Sequence, residues 1–250
     1  METAATAAQA QKKKQKILVI KTGEPVPKVA ETRGQFADLI IRSIGDAFRG
    51  EYAVIDPRTE ALPTGPVDDA VVVITGSAAN VPHREPWMIR TEAWLRDVVA
   101  AGTPTFGICF GHQILAQALG GEVQKNPRGR EIGTLLVERT IHDSIFDGLP
   151  DSFEANVTHI DSVVRLPEGA TSLARSSLED HHAIRFSETC YGVQFHPEID
   201  AEVMRGYIDS RREILLSEGF DVDAMISRLG EGEPGRQTLR NFIRRFTADI

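Results

Sequence analysis

The stretch Thr105-Phe106-Gly107-Ile108-Cys109-Phe110-Gly111-His112-Gln113 decides how this chain is read. Its opening residues form a short apolar run, the pattern of a buried strand. The residues from Gln113 to Leu119, stopped by Gly120-Gly121, have the pattern of a helix. Between the two lies Gly-x-Cys-x-Gly, the thiol counterpart of the Gly-x-Ser-x-Gly nucleophile elbow. A strand-to-helix turn that tight leaves no room for a Cβ at Gly107 or Gly111. It holds the Cys109 side chain at the carboxyl end of a sheet, where open α/β sheets bind ligands. It also sets the sulfur beside a helix N-terminus, whose partial positive charge favours thiolate. Taken alone, the same cysteine also fits a plainer reading, a small buried residue at a strand end.

Working outward, the same alternation recurs. Ile17–Ile20, Tyr52–Ile55 and Val71–Ile74 are short apolar strands, each ending in a turn. Phe36, Leu39, Ile40 and Ile44 recur at helical spacing, as do Trp87, Ile89, Trp94, Leu95, Val98 and Val99 after Pro86. Strand and helix in alternation predict βαβ units: a mostly parallel, open twisted sheet with helices on both faces, a flavodoxin- or Rossmann-like three-layer α/β fold. From about residue 121 to 195 the pattern changes to short β-like pieces (Thr134–Glu138, Ser162–Leu166, Ala183–Phe186, Tyr191–Phe195), which predict a small antiparallel extension. Helices return after Asp200, which reads as an N-cap, and Leu239, Phe242, Ile243 and Phe246 share one face of the last. Residues 1–16 hold no large apolar side chain apart from the initial methionine and read as a disordered N-terminal tail. Residues 17–250 read as one domain.

Composition narrows the function classes. The chain has 250 residues, 41% hydrophobic and 26% charged, with a net charge of −8 from 36 acidic and 28 basic residues. That balance does not favour nucleic acid, which asks for a basic face. No run approaches the ~18 apolar residues of a membrane span. The two cysteines, Cys109 and Cys190, and the lack of a secretory signal pattern predict a reducing, cytoplasmic setting without a disulfide framework. Cys190 reads as a core filler. His181-His182 invites a metal reading, but neighbouring histidines on a strand point to opposite faces and no cluster completes a tetrahedral set, so no metal and no cofactor are expected. The sequence lacks a Walker-type phosphate loop, so nothing supports ATP hydrolysis by this chain.

A nucleophilic cysteine needs a base, and the base needs a third group to fix its tautomer and orientation. Tyr191-Gly-Val-Gln-Phe-His-Pro-Glu198 offers both, because an apolar strand ends in His196-Pro197-Glu198. Pro197 forces an extended turn at His196, and Glu198 is then set to reach the far ring nitrogen.

Together, Gly107-Ile-Cys-Phe-Gly-His-Gln113 and Gly192-Val-Gln-Phe-His-Pro-Glu198 resemble the class I, triad-type glutamine amidotransferases, and within them the stand-alone GMP-synthase-like members. The likeness runs from about residue 17 to 200, with the motifs in the right order and spacing. It implies that Cys109 attacks the γ-amide carbon of glutamine, with His196 as base and then acid and Glu198 as its support, giving glutamate and ammonia through a thioester. It implies an oxyanion hole from the backbone at Phe110 and the Gly76-Ser77 loop, and substrate contacts at Gly107, Gln113, His159 and Asp161. Asn126-Pro-Arg-Gly129 and Glu131-Ile-Gly133 resemble a family loop flanking the site. One departure stands out: related enzymes commonly carry two glycines and a proline where this chain reads Gly76-Ser77-Ala78-Ala79.

The chain carries no recognisable synthetase half, so the resemblance implies either a synthetase partner that accepts the ammonia or simple hydrolysis with the ammonia released. Two rival functions remain open at this point. A γ-glutamyl peptidase would use the same Cys-His-Glu triad on other γ-glutamyl amides, and a non-catalytic regulator would keep the fold for binding alone.

Overall fold

Lys-Ile-Leu-Val-Ile at Lys16–Ile20 (β1) is buried along nearly its whole length, and Ala70–Ile74 (β3) is buried throughout. Strands covered on both faces read as continuous apolar runs, which is the mark of a parallel sheet. The structure, a computed structural model, describes residues 15–65 and 67–247. Its other strands are Glu51–Ile55 (β2), Thr105–Ile108 (β4), Glu122–Lys125 (β5), Glu131–Arg139 (β6), Ser152–His159 (β7), Asp161–Arg165 (β8), Thr171–Arg175 (β9), Ala183–Ser187 (β10) and Cys190–Val193 (β11). The α-helices are Pro27–Arg33 (α1), Phe36–Ile44 (α2), Pro86–Ala100 (α3), Phe110–Ala118 (α4), Ala201–Ser210 (α5), Arg212–Ser217 (α6), Val222–Ser227 (α7) and Glu233–Phe246 (α8).

A nine-stranded sheet in the order β2-β1-β3-β4-β11-β10-β9-β6-β7 forms the centre. Its first five strands are parallel. The rest join antiparallel, while β5 and β8 form a separate two-stranded sheet. Alternation along each strand supplies two cores. Ile17, Val19, Val71, Val73 and Phe106 pack with α2 and α8, whereas Leu18, Ile20, Val72 and Ile74 pack with α3 and α4. A third cluster gathers α5 and parts of α1, α2, α6 and α7 around Met204, Tyr207 and Ile208. The fold is thus the expected three-layer α/β sheet. No helix among the described residues is long and apolar enough to cross a membrane.

Several local expectations change. The predicted tail at 1–16 lies outside the described residues except for its end, where Lys16 already belongs to β1. Helix α4 begins at Phe110 rather than Gln113, immediately behind the elbow. Strands β5, β7 and β9 go beyond the predicted pieces, because Ser-Phe-Glu-Ala-Asn-Val-Thr-His and Thr-Ser-Leu-Ala-Arg carry no apolar run. Their pairing with β8, β6 and β10 makes them strands. His181 and His182 precede β10 in a turn instead of lying on a strand.

Candidate active site

Each element that ends at the carboxyl edge of the parallel strands contributes one piece. The first is the elbow. Cys109 sits at φ 50°, ψ −101°, and only Arg84 shares a positive φ among the described non-glycine residues. A side chain rarely adopts that geometry, and it persists only where the surroundings impose it. Here they do: a Cβ at Gly107 would come within 2.5 Å of the Gly111 carbonyl group, and one at Gly111 within 2.5 Å of the Ile74 carbonyl oxygen. The Cys109 N–H also donates to the Val193 carbonyl of β11 at 2.8 Å. The sulfur lies 3.9 Å from the Thr158 carbonyl oxygen at the end of β7.

The second piece follows β11, which pairs with β4 so that Val193 stands opposite Ile108. The chain leaving β11 therefore passes beside the elbow. His196 is anchored by its N–H to the Asn156 carbonyl at 2.8 Å, and the Ser43 hydroxyl of α2 donates to the Pro197 carbonyl at 2.8 Å. The Nδ1–H of His196 donates to Glu198 Oε1 at 2.8 Å, while the ring stacks on Phe36. Its Nε2 is buried with no hydrogen-bond partner among the described residues. Burial opposes the charged imidazole, yet the Glu198 carboxylate and the neighbouring Cys109 sulfur outweigh it and hold the His196 pKa up at about 10.

Between these groups lies a cleft of about 240 Å³, lined by Cys109, His196, Ser77, Thr158, Tyr207 and Arg211 among others. A second, of about 100 Å³, shares Ser77, Cys109, Thr158 and Arg211 and extends toward Gln113, His159 and Asp161. The loop after β3 faces both. Thr22 fixes it: its N–H donates to Thr75 Oγ1 at 3.0 Å, and its hydroxyl donates to the Thr75 and Gly76 carbonyls at 2.9 and 3.2 Å. In a planar trans peptide the C=O and the following N–H point opposite ways. Holding the Gly76 carbonyl toward Thr22 thus turns the Ser77 N–H away from it. At the other side, the Phe110 N–H belongs to the first turn of α4, where helix amides have no intrahelical acceptor. The Phe110 ring itself is buried and stacks on Trp87.

The expected substrate contacts fare differently. Gly107 lines neither cleft; a Cβ there would meet the Gly111 backbone, so its place in the structure is to let α4 approach β4. Gln113 lines the second cleft, but its amide nitrogen donates to the Asp161 carbonyl at 2.8 Å and to Gln194 Oε1 at 3.0 Å. His159 and Asp161 also reach that cleft with their polar atoms engaged. Asp161 Oδ2 accepts from Asn80 at 2.7 Å. His159 Nδ1 lies 3.0 Å from the Asp161 carbonyl and Nε2 lies 2.9 Å from Glu131 Oε2. Both ring nitrogens of His159 thus face acceptor oxygens, one a backbone carbonyl and one a carboxylate.

His182 Nε2 meets the same Glu131 oxygen at 2.9 Å, and the Ser176 hydroxyl donates to the other. Burial would raise the Glu131 pKa, but the two histidines and Ser176 hold it far below the usual carboxylate range. Glu131, His159 and His182 are the one set among the described residues that could hold a metal ion. In this structure both histidines meet the same Glu131 oxygen, and His182 Nδ1 has no hydrogen-bond partner among the described residues. The sequence marked Glu131 only as part of a flanking loop and His182 only as half of a histidine pair. Cys190, by contrast, is buried in the second core, where burial pushes its thiol pKa up, as a core filler should be.

The profile of the family "Glutamine amidotransferase class-I" matches residues 35–209. The chain belongs to this family. Among similar curated amidotransferase sequences, the glutamine-hydrolyzing GMP synthase of Aeropyrum pernix is 37% identical over 177 residues, covering 68% of this chain and 32% of that protein. The chain therefore spans about a third of the length of such relatives. In Methanopyrus kandleri the similar sequence is one separate subunit of a glutamine-hydrolyzing GMP synthase, 34% identical over 176 residues, covering 68% of this chain and 88% of that polypeptide. A glutamine amidotransferase of Thermotoga maritima shares the fold, with a TM-score of 0.73 at 23% identity over 92% of this chain and 97% of its own.

Proposed function

We propose that this class I amidotransferase chain hydrolyses the γ-amide of glutamine through a thioester on Cys109. The observation that carries the reading is the pairing of His196 with Glu198, with the unpartnered Nε2 in a cleft shared with the elbow cysteine. In this reading the thiol proton already rests on His196 Nε2, whose pKa is held up at about 10, and the thiolate sulfur forms a bond to the γ-carbon. The carbonyl electrons move onto the oxygen, which accepts hydrogen bonds from the Ser77 and Phe110 N–H groups. Collapse of that oxyanion breaks the C–N bond, and ammonia leaves with the proton from His196. Water then adds to the thioester as His196 takes its proton, and the C–S bond breaks to release glutamate and return the thiolate beside the protonated His196. Losing one oxyanion donor typically costs ~10²–10³ in rate.

Relatives named as single subunits of GMP synthase support a separate synthetase polypeptide as the ammonia acceptor, and a reducing, cytoplasmic setting suits a working thiol. A second reading draws on one observation. Two clefts meet at Cys109, giving room on both sides of a scissile bond for a γ-glutamyl amide larger than glutamine.

The test follows glutamate release from glutamine and from a panel of γ-glutamyl amides, beside covalent trapping by a glutamine-derived chloroketone. One adduct on Cys109, none on Cys190 and none in Cys109→Ser supports the thiol reading, while modification at Cys190 overturns it. Release from bulky amides but not from glutamine would replace the amidase with the peptidase.

A further inference from the structure

Arg211 directly follows α5 and lines both clefts beside Cys109. Its guanidinium carbon lies 4.9 Å from the Tyr207 ring centroid, a cation–π seat one turn back along the chain. Its Nη1 donates to Thr158 Oγ1 at 3.0 Å, and the carbonyl oxygen of that same Thr158 lies 3.9 Å from the Cys109 sulfur. One residue thus bridges the guanidinium and the nucleophile.

What the guanidinium lacks is an acid. No carboxylate among the described residues forms an ion pair with Arg211, whereas its neighbours around the site are all matched. Arg130, on the second cleft, is held by both oxygens of Glu218 at 2.8 and 3.0 Å. Arg58 is matched by Glu24 and Asp56, and Arg33 by Asp200 and Glu202. Burial, joined by the like charge of Arg130, lowers the Arg211 pKa, as for a cation taken from water without a carboxylate partner. A guanidinium has five N–H donors in a planar fork that fits a carboxylate. The Thr158 contact leaves most of that fork free.

We propose that Arg211 binds the α-carboxylate of the substrate and so restricts the cleft to γ-glutamyl compounds with a free carboxylate. The inference rests on the amidase reading above and deepens it. The end of glutamine opposite its γ-amide carries an anion, and Arg211 stands across Thr158 from the sulfur that takes the amide. Simple amides and α-blocked glutamine lack that anion and lose the contact. The peptidase reading requires the same residue, since every γ-glutamyl amide carries the same carboxylate.

Two electrophiles separate this role from general damage. The glutamine-derived chloroketone keeps the α-carboxylate, and iodoacetamide has none. Arg211→Met lowers the labelling rate of Cys109 by the chloroketone roughly 10- to 100-fold, the weight of charge-assisted hydrogen bonds. Iodoacetamide labelling stays within about twofold of wild type, because the charge acts on the ligand and not on the fold. With glutamine the loss falls mainly on KM, and Arg211→Lys recovers part of it.

An unchanged chloroketone rate in Arg211→Met overturns the assignment and leaves the amidase reading standing. Equal losses with both reagents also overturn it, since they assign Arg211 to the shape of the elbow. A further measurement needs no variant: wild-type enzyme that hydrolyses glutamine and its α-amide equally well refutes the carboxylate contact. Wild-type enzyme labelled by iodoacetamide but never by the chloroketone removes the glutamine reading itself, and this inference with it.

Discussion

Two buried histidine–carboxylate pairs lie in this fold, close in geometry and opposite in consequence. His196 meets Glu198 at 2.8 Å, and His159 meets Glu131 at 2.9 Å. All four side chains are nearly inaccessible. The difference is the second ring nitrogen. That of His196 is unpartnered and belongs to a cleft that holds a thiol, while that of His159 is tied to the Asp161 carbonyl. A carboxylate beside a histidine therefore marks chemistry only where the far nitrogen is free to exchange a proton with something. Where both nitrogens are occupied, the same pair is a brace. Here the brace holds the 158–161 turn that carries the Thr158 carbonyl against the sulfur.

The contrast breaks most sharply on deletion of the histidines. His196→Ala is expected to lower glutamine hydrolysis by on the order of 10⁴–10⁶, and adding Cys109→Ala should cost nothing further, because members of one proton-transfer unit do not contribute independently. His159→Ala should leave the Cys109 nucleophile reactive and lower stability instead. Steady-state glutamate release and urea unfolding of the three variants check this. Additive losses in the His196/Cys109 pair would argue against a shared proton.

Glu198→Gln comes next, at about 10³–10⁴ in rate, since the amide no longer fixes the tautomer or supports the imidazolium. The pH profile sharpens the test. His196 is held protonated up to about pH 10 by Glu198 and the Cys109 sulfur, so activity should fall as pH rises through that value. Removing the Glu198 charge should bring this alkaline limb down toward the ordinary histidine value of about 6.5. A limb that stays in place in the variant would show that another group sets it.

The two pairs also measure how much of the molecule is legible in sequence. Cys109 and the His196-Pro197-Glu198 turn are readable because each chemical group is bracketed by local constraints. Glycines at fixed offsets make the elbow, and a proline shapes the exit from β11. The parallel strands are legible for a similar reason, their burial on two faces written as apolar runs. Glu131, His159 and His182 come from β6, β7 and the turn before β10, and nothing local distinguishes any of them. His-x-Asp thus suggests a substrate contact when the histidine's partner is a distant glutamate. Thr22, Thr158 and Arg211 are invisible for the same reason, being common residue types whose meaning depends on what the sheet brings beside them.

Thr22 offers a smaller effect on the same site. The expected glycine pair is absent at Gly76-Ser77-Ala78-Ala79, and the Thr75 and Thr22 hydroxyls, 2.9 and 3.2 Å from the Gly76 carbonyl oxygen, orient that carbonyl instead. Thr22→Val is isosteric and removes only that donor. It should lower kcat by about tenfold, below the ~10²–10³ expected for outright loss of an oxyanion donor. KM should be nearly unchanged, because in the proposed mechanism the Ser77 N–H matters most when charge develops on oxygen. A rise in KM with kcat intact would instead assign Thr22 to ground-state binding.

The smallest effect on chemistry is expected at Glu131, where the effect on stability should be large. Glu131→Gln removes the buried carboxylate that His159, His182 and the Ser176 hydroxyl all meet, a loss of about 3 kcal/mol for a broken buried pair. Chloroketone labelling of Cys109 in the folded variant should stay within about threefold of wild type, as for sites that couple weakly. The sign of the pH dependence follows from the direction of the Glu131 shift. A carboxylate held below its ordinary value stabilises the fold fully above about pH 4.3 and loses that contribution as pH falls further. The stability gap between wild type and Glu131→Gln, read from urea midpoints, should therefore be widest near neutrality and narrow under acid. A gap that widened on acidification would mean that Glu131 is protonated in the folded state, and the brace would then rest on neutral hydrogen bonds and not on a buried carboxylate.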